Sequence, residues 1–171
     1  MNRVFFITPN DLKEYTTINY AVEDKLLKNS ILDAQDIDIQ PIIGTRLYNK
    51  LQYLITGGTI SGIYKEMIDK YISKALIKSS ERRVLLWIYA KIRNKGIENQ
   101  DSDNSQVVDI EVLNKLRHEL NNDFEFFSNK LKKYLIDNSG NIPEYKEYNP
   151  DNKSEFNKPE TGDSYFSGIV L

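Results

Sequence analysis

Apolar residues recur along this chain three and four positions apart, the period of α-helices that bury one face. The longest such run is near the C-terminus, where Leu113, Leu116, Leu120, Phe124, Phe127, Leu131 and Tyr134 follow one another at steps of three or four. They predict a helix over 109–136, about 28 residues and on the order of 42 Å long. A stripe of that length needs a partner along all of it, and we expect residues 61–95 to supply one.

The earlier segments repeat the theme. Thr8-Pro9-Asn10-Asp11 puts a capping hydroxyl before a proline at the first helical position, so a short helix is predicted from there to about Tyr15. Asn19 is a candidate cap for a second helix carrying Leu27, Ile31 and Ala34, which Pro41 is expected to end or kink. Leu47, Leu51, Leu54 and Ile55 mark a third, stopped by Gly57-Gly58. Tyr64, Ile68, Tyr71, Ile72, Ala75 and Leu76, continued by Val84, Leu85, Ile88 and Ile92, run to a stop at Gly96, with a break or a bend at Ser79-Ser80. Residues 98–106 read as loop. The fold class is therefore all-α, a small bundle of about five helices with one long C-terminal helix.

Punctuation changes after the long helix. Three of the five prolines and three of the eight glycines lie beyond Asn138, and no period of either kind runs through that stretch. We divide the chain into a helical body, 1–137, and an extended tail, 138–171. The tail is acidic, with three lysines against six carboxylates, yet holds Tyr145, Tyr148, Phe156, Tyr165 and Phe166 and ends in Ile169-Val170-Leu171. Apolar anchors on a segment too sparse to build its own core suit a peptide that orders on a partner.

Composition narrows the chemistry. The 171 residues, 19.9 kDa in all, suffice for one ordinary domain and an appendage. There is no cysteine and one histidine, His118, which excludes disulfides, thiolate nucleophiles and metal sites needing two imidazoles. No apolar run reaches membrane-spanning length, and the N-terminus lacks the features of a signal peptide, so we expect a protein of cytosolic origin without membrane contact. A net charge of −2 gives no global field toward nucleic acid.

The candidate sites are few. His118 has no serine, cysteine or paired carboxylate at a recognisable spacing and reads as solvated. Asp33, Asp36 and Asp38 lack the glycine and distal glutamate of a calcium loop and read as a solvated helix end. No phosphate-binding glycine motif occurs. We therefore expect no catalysis, no metal and no cofactor. Charge is the exception: Lys78, Arg82, Arg83, Lys91, Arg93 and Lys95 are opposed only by Glu81, and then Glu98, Asp101, Asp103, Asp109 and Glu111 follow with no base among them. The basic block could touch DNA phosphates. Opposite blocks on one subunit also suit a contact between neighbouring copies, the reading we favour, with Arg82, Arg83, Lys91, Arg93 and Lys95 facing Asp101, Asp103, Asp109 and Glu111.

Three stretches carry a resemblance: Ile7-Thr8-Pro9-Asn10-Asp11-Leu12-Lys13, Ile31-Leu32-Asp33-Ala34-Gln35-Asp36, and Ile43-Gly44-Thr45-Arg46-Leu47-Tyr48-Asn49-Lys50-Leu51. Tyr71-Ile72-Ser73-Lys74-Ala75-Leu76 and Tyr89-Ala90-Lys91-Ile92-Arg93-Asn94-Lys95-Gly96 continue it. Over about residues 6–97 the chain resembles the head-to-tail connector (adaptor, or ring) proteins of tailed phages, in the variant of Bacteroides-infecting and crAss-like phages. The resemblance implies a non-enzymatic virion protein, assembled in the bacterial cytoplasm and located at the head-tail junction. It also implies a twelve-fold homo-oligomeric ring beneath the portal, contacts to adjacent ring or tail proteins, and DNA passing through the lumen without specific binding. The alternative from the residues alone is a small helical nucleic-acid-binding protein using 78–95.

Overall fold

The computed structural model describes residues 3–98 and 110–146, with side chains omitted for 90–98, 110 and 146. Among the described residues every regular element is helical. The elements are α1 (Pro9–Tyr15), α2 (Asp24–Ala34), α3 (Gln40–Ile43), α4 (Thr45–Thr56), α5 (Gly62–Met67), α6 (Ser73–Glu98), α7 (Ile110–Asp137) and α8 (Pro143–Lys146). A π-helical turn, Gln35–Ile39, joins α2 to α3, and a second, Ile68–Ile72, joins α5 to α6. Among the described residues these make six helical rods.

α1 starts as its sequence predicts. Thr8 Oγ1 accepts from Asp11 N at 3.2 Å, and Asp11 Oδ2 accepts from Thr8 N at 2.7 Å, a reciprocal capping box with Pro9 just inside it. The second helix starts later than expected. Asn19 closes a turn of its own, its Oδ1 accepting from Ala21 N at 2.9 Å, and α2 begins only after Glu23. A side chain that bonds its own backbone two residues on favours the turn over the helix.

Pro41 does not end the helix. The preceding π-helical turn replaces the i→i−4 bonds that a proline ring obstructs, so the chain coils on to Ile43. Gly44, with φ of +79°, then breaks it where other residues would be strained. α4 ends on Gly57-Gly58 as expected. Thr59 N bonds Leu54 O and Gly58 N bonds Ile55 O, both at 3.0 Å, and Gly58 takes φ of +63°.

α6 is the central rod, lying against α2 on one side and α7 on the other. Its path through Ser79-Ser80 is unbroken, because both serines are buried in helix interfaces and not looped out. It also continues past Gly96 to Glu98. On α7 the predicted stripe faces the bundle through Leu113, Leu120 and Leu131, with Phe124, Phe127 and Tyr134 half-buried. Tyr134 stacks on Tyr71 of the second π-helical turn, ring centroids 4.1 Å apart. Leu116 departs from the stripe and is exposed, whereas Leu135, outside it, is fully buried.

The body also extends beyond residue 137. After a turn at Asn138, Ile142 is fully buried and Tyr145 is 5% exposed, both in the main core, as α8 packs on α4. Tyr64 on α5 donates to Glu144 Oε2 at 2.8 Å. Tyr145 is thus an internal core residue and not the partner-binding anchor that the tail composition suggested. The other proposed anchors, Tyr148, Phe156, Tyr165, Phe166, Ile169, Val170 and Leu171, lie outside the described residues.

Candidate functional site

The first π-helical turn puts three polar side chains to use. Gln35, fully buried, accepts from Phe6 N at 2.9 Å and donates to Val4 O at 3.0 Å and to the Tyr48 hydroxyl at 2.9 Å, fastening the N-terminal segment to α4. The Tyr48 hydroxyl donates to Asp36. Asp38 turns the other way, toward α6, where its Oδ2 accepts from Ser79 Oγ, from Arg83 Nε at 3.1 Å and from Arg83 Nη2 at 2.9 Å. Arg82 Nη2 approaches the same oxygen at 3.5 Å, while Arg82 Nη1 donates to Asn121 on α7. The Arg82 guanidinium also lies over the Phe124 ring, 5.4 Å from its centroid.

These contacts correct two expectations. Asp38 is not a solvated helix end, since its carboxylate is largely buried against α6, whereas Asp33 and Asp36 are exposed as expected, Asp36 with a bond from the Tyr48 hydroxyl. Arg82 and Arg83 are not outward-pointing charges, with only 22% and 25% of their side-chain surface exposed. Lys78 is likewise engaged, 3.6 Å from Glu81 and 3.2 Å from Asp123. Glu81 is buried and accepts from the Thr17 hydroxyl at 3.3 Å. The early half of the basic block is therefore partly balanced inside the subunit, because the π-helical turn and α7 bring carboxylates to it that lie far away in sequence.

Of the remaining interface candidates, Glu111 is exposed on the first turn of α7. The side chains of Lys91, Arg93, Lys95 and Glu98, and all of Asp101, Asp103 and Asp109, lie outside the described residues.

Beside the Asp38 cluster is an open cleft of about 430 Å³ between α6 and α7, lined by Arg82, Arg83, Asn114, Arg117, His118 and Asn121, with Leu86 as its apolar wall. His118 is exposed there, as its sequence context suggested. The contribution of Arg117 was not singled out in the sequence, although Asn114, Arg117 and Asn121 recur at helical spacing on one side of the α7 stripe. Among the described residues no group of three His, Cys, Asp or Glu side chains is placed to hold a metal ion, and no helix is long and apolar enough to cross a membrane.

Burial, and then the bond to Glu144, push the Tyr64 hydroxyl up to about 12; burial and the bond to Asp36 push Tyr48 up further. Below pH 10 both phenols are neutral whether the chain is folded or not. Above it the unfolded phenols ionise first, so stability should fall as pH rises from about 10 to 12. Tyr64→Phe should flatten part of that decline in urea titrations at pH 9 to 12; an unchanged slope would show that Tyr64 does not contribute to it.

One family matches the chain, described as "Family of unknown function (DUF6712)", over residues 39–156. No curated protein and no solved structure matches.

Proposed function

Since the chain belongs to the DUF6712 family, whose function is unknown, its role has to be read from the molecule, and we propose that it is a structural subunit of a tailed-phage virion. In this reading, copies close into a ring, twelve-fold by resemblance to phage connectors, between the portal and the adjacent ring or tail proteins. DNA passes through the lumen without being gripped. The role requires no catalytic group or cofactor.

The observation that carries the reading is apolar surface left open on the two longest helices. Leu86 and Trp87 on α6 and Val112 and Leu116 on α7 are 41–55% exposed. Trp87 lies on the α2 side of α6 and Leu86 on the α7 side, so the exposed apolar residues fall on more than one face, as suits a subunit with two different neighbours. A ring subunit needs unlike lateral faces, and each contact can be modest because many act together. Beyond Lys146, Tyr148, Phe156, Tyr165, Phe166, Ile169, Val170 and Leu171 would serve as anchors on other virion proteins.

The nucleic-acid alternative is less favoured, because Lys78, Arg82 and Arg83 already have carboxylate partners within the chain. Light scattering separates the two readings. Leu116→Asp alters an exposed position, so it should leave thermal stability nearly unchanged while lowering the assembled mass to that of the monomer. An assembly indifferent to it would remove this face from the contact.

A further inference from the structure

We propose that the cleft between α6 and α7 is a receptor for carboxylates presented by a second copy of this chain. This names the partner of one face and rests on the ring reading above.

The cleft is built for an oxyanion. Arg83 is fixed by two bonds to Asp38, and Arg82 by Asn121 and the Phe124 ring, so both guanidiniums are oriented before anything binds. Orientation in advance removes much of the entropy that a free arginine loses when it clamps a ligand. Each guanidinium has five N–H donors, and a single carboxylate oxygen cannot use them all. Arg117 makes no hydrogen bond or ion pair among the described residues and faces the same space, joined by Asn114 and His118. Asn121 in turn donates to Glu125 Oε1 at 2.8 Å, so three arginines against Asp38 and Glu125 leave the cleft with a net charge of about +1 on a chain whose total is −2.

Charge complementarity chooses the occupant. The stretch 98–111 holds five carboxylates and no basic residue. It joins α6 to α7, the same two helices that form the cleft, so a head-to-tail array of copies could bring it to a neighbour. Carboxylate is also the anion these arginines already hold, in Asp38, and paired N–H groups of a guanidinium match its two oxygens. The acids of that stretch that the proposal uses are Asp101, Asp103 and Asp109.

The test uses the full chain and a labelled peptide of residues 98–111, with fluorescence anisotropy as the readout. A second peptide carries Asn at 101, 103 and 109, and a short DNA duplex serves as competitor. The native peptide should bind, the Asn peptide at least about tenfold more weakly, with binding weakening as salt rises. Arg117→Glu removes an exposed, unpartnered cation and should abolish binding without changing the melting temperature, and Arg117→Lys should retain part of it. The proposal is overturned if the native peptide fails to bind at about 1 mM, including because the chain's own stretch fills the cleft. It is also overturned if the Asn peptide binds equally well, or if the duplex binds more tightly than the native peptide. Because peptide binding is read on dissociated subunits, a chain that binds the peptide but forms no ring would refute the ring and keep the cleft. A ring indifferent to Arg117→Glu would do the reverse.

Discussion

Ending the chain at Asn141 should cost about 4–8 kcal/mol of stability, whereas ending it at Lys146 should cost less than about 1 kcal/mol. The five residues between the two cuts decide the difference. Ile142 is fully buried and Tyr145 nearly so, and removing side chains of that size from a core typically costs about 2–5 kcal/mol each. The Tyr64 bond to Glu144 is lost as well, worth roughly 1 kcal/mol. Since a domain of this kind is stable by only about 5–15 kcal/mol, the shorter chain should be partly unfolded at room temperature. Urea titrations of both truncations, followed by far-UV circular dichroism, measure this directly. Equal midpoints would mean that α8 contributes nothing to the fold. The longer truncation is also the proper test of the proposed strap, because it removes the remaining proposed anchors and keeps every described core residue: on that proposal it should fold normally and fail to enter particles.

Replacing Asp38 by Ala should cost about 2–4 kcal/mol, somewhat less than removing one partner of a fully buried ion pair, because a quarter of each arginine side chain still meets solvent. The loss comes less from the missing attraction than from two guanidiniums left half-buried without a counterion, together with an unpaired Ser79 hydroxyl. Combining Asp38→Ala with Arg83→Met should therefore recover part of the stability, and a double-mutant cycle would give a coupling above about 1 kcal/mol. A cost below about 0.5 kcal/mol for Asp38→Ala, or additivity in the cycle, would show that solvent replaces Asp38 freely.

These two expectations lie where the sequence was hardest to read. The amphipathic rods were legible because each repeats one period for several turns: α4 between Thr45 and its glycine stop, and α7 across its 28 residues, lie close to where the spacing put them. Caps with a local mechanism, such as Thr8 with Asp11, were legible for the same reason. The interruption expected at Pro41 takes the form of a π-helical turn just before it, which was not legible because such a turn depends on how α2 and α3 pack against α4, α6 and α7. The buried end of the body was missed because α8 is a single turn with two apolar residues, too short to establish a period. The internal partner of the arginine cluster was missed because charge was counted along the chain, while Asp38 is 44 and 45 residues away from the arginines it holds. Arg117, on the polar side of a helix read for its apolar stripe, became a site residue only once α6 lay beside it.

The account stands on assembly, and the mass of the full chain in solution tests it most directly. Light scattering should be run over a range of concentrations, alone and with a phage portal protein, the partner that the proposed role requires. A ring subunit should yield one closed species at a fixed multiple of 19.9 kDa, on its own or on the portal, that dissociates as salt rises. A monomer under both conditions at every concentration would contradict it.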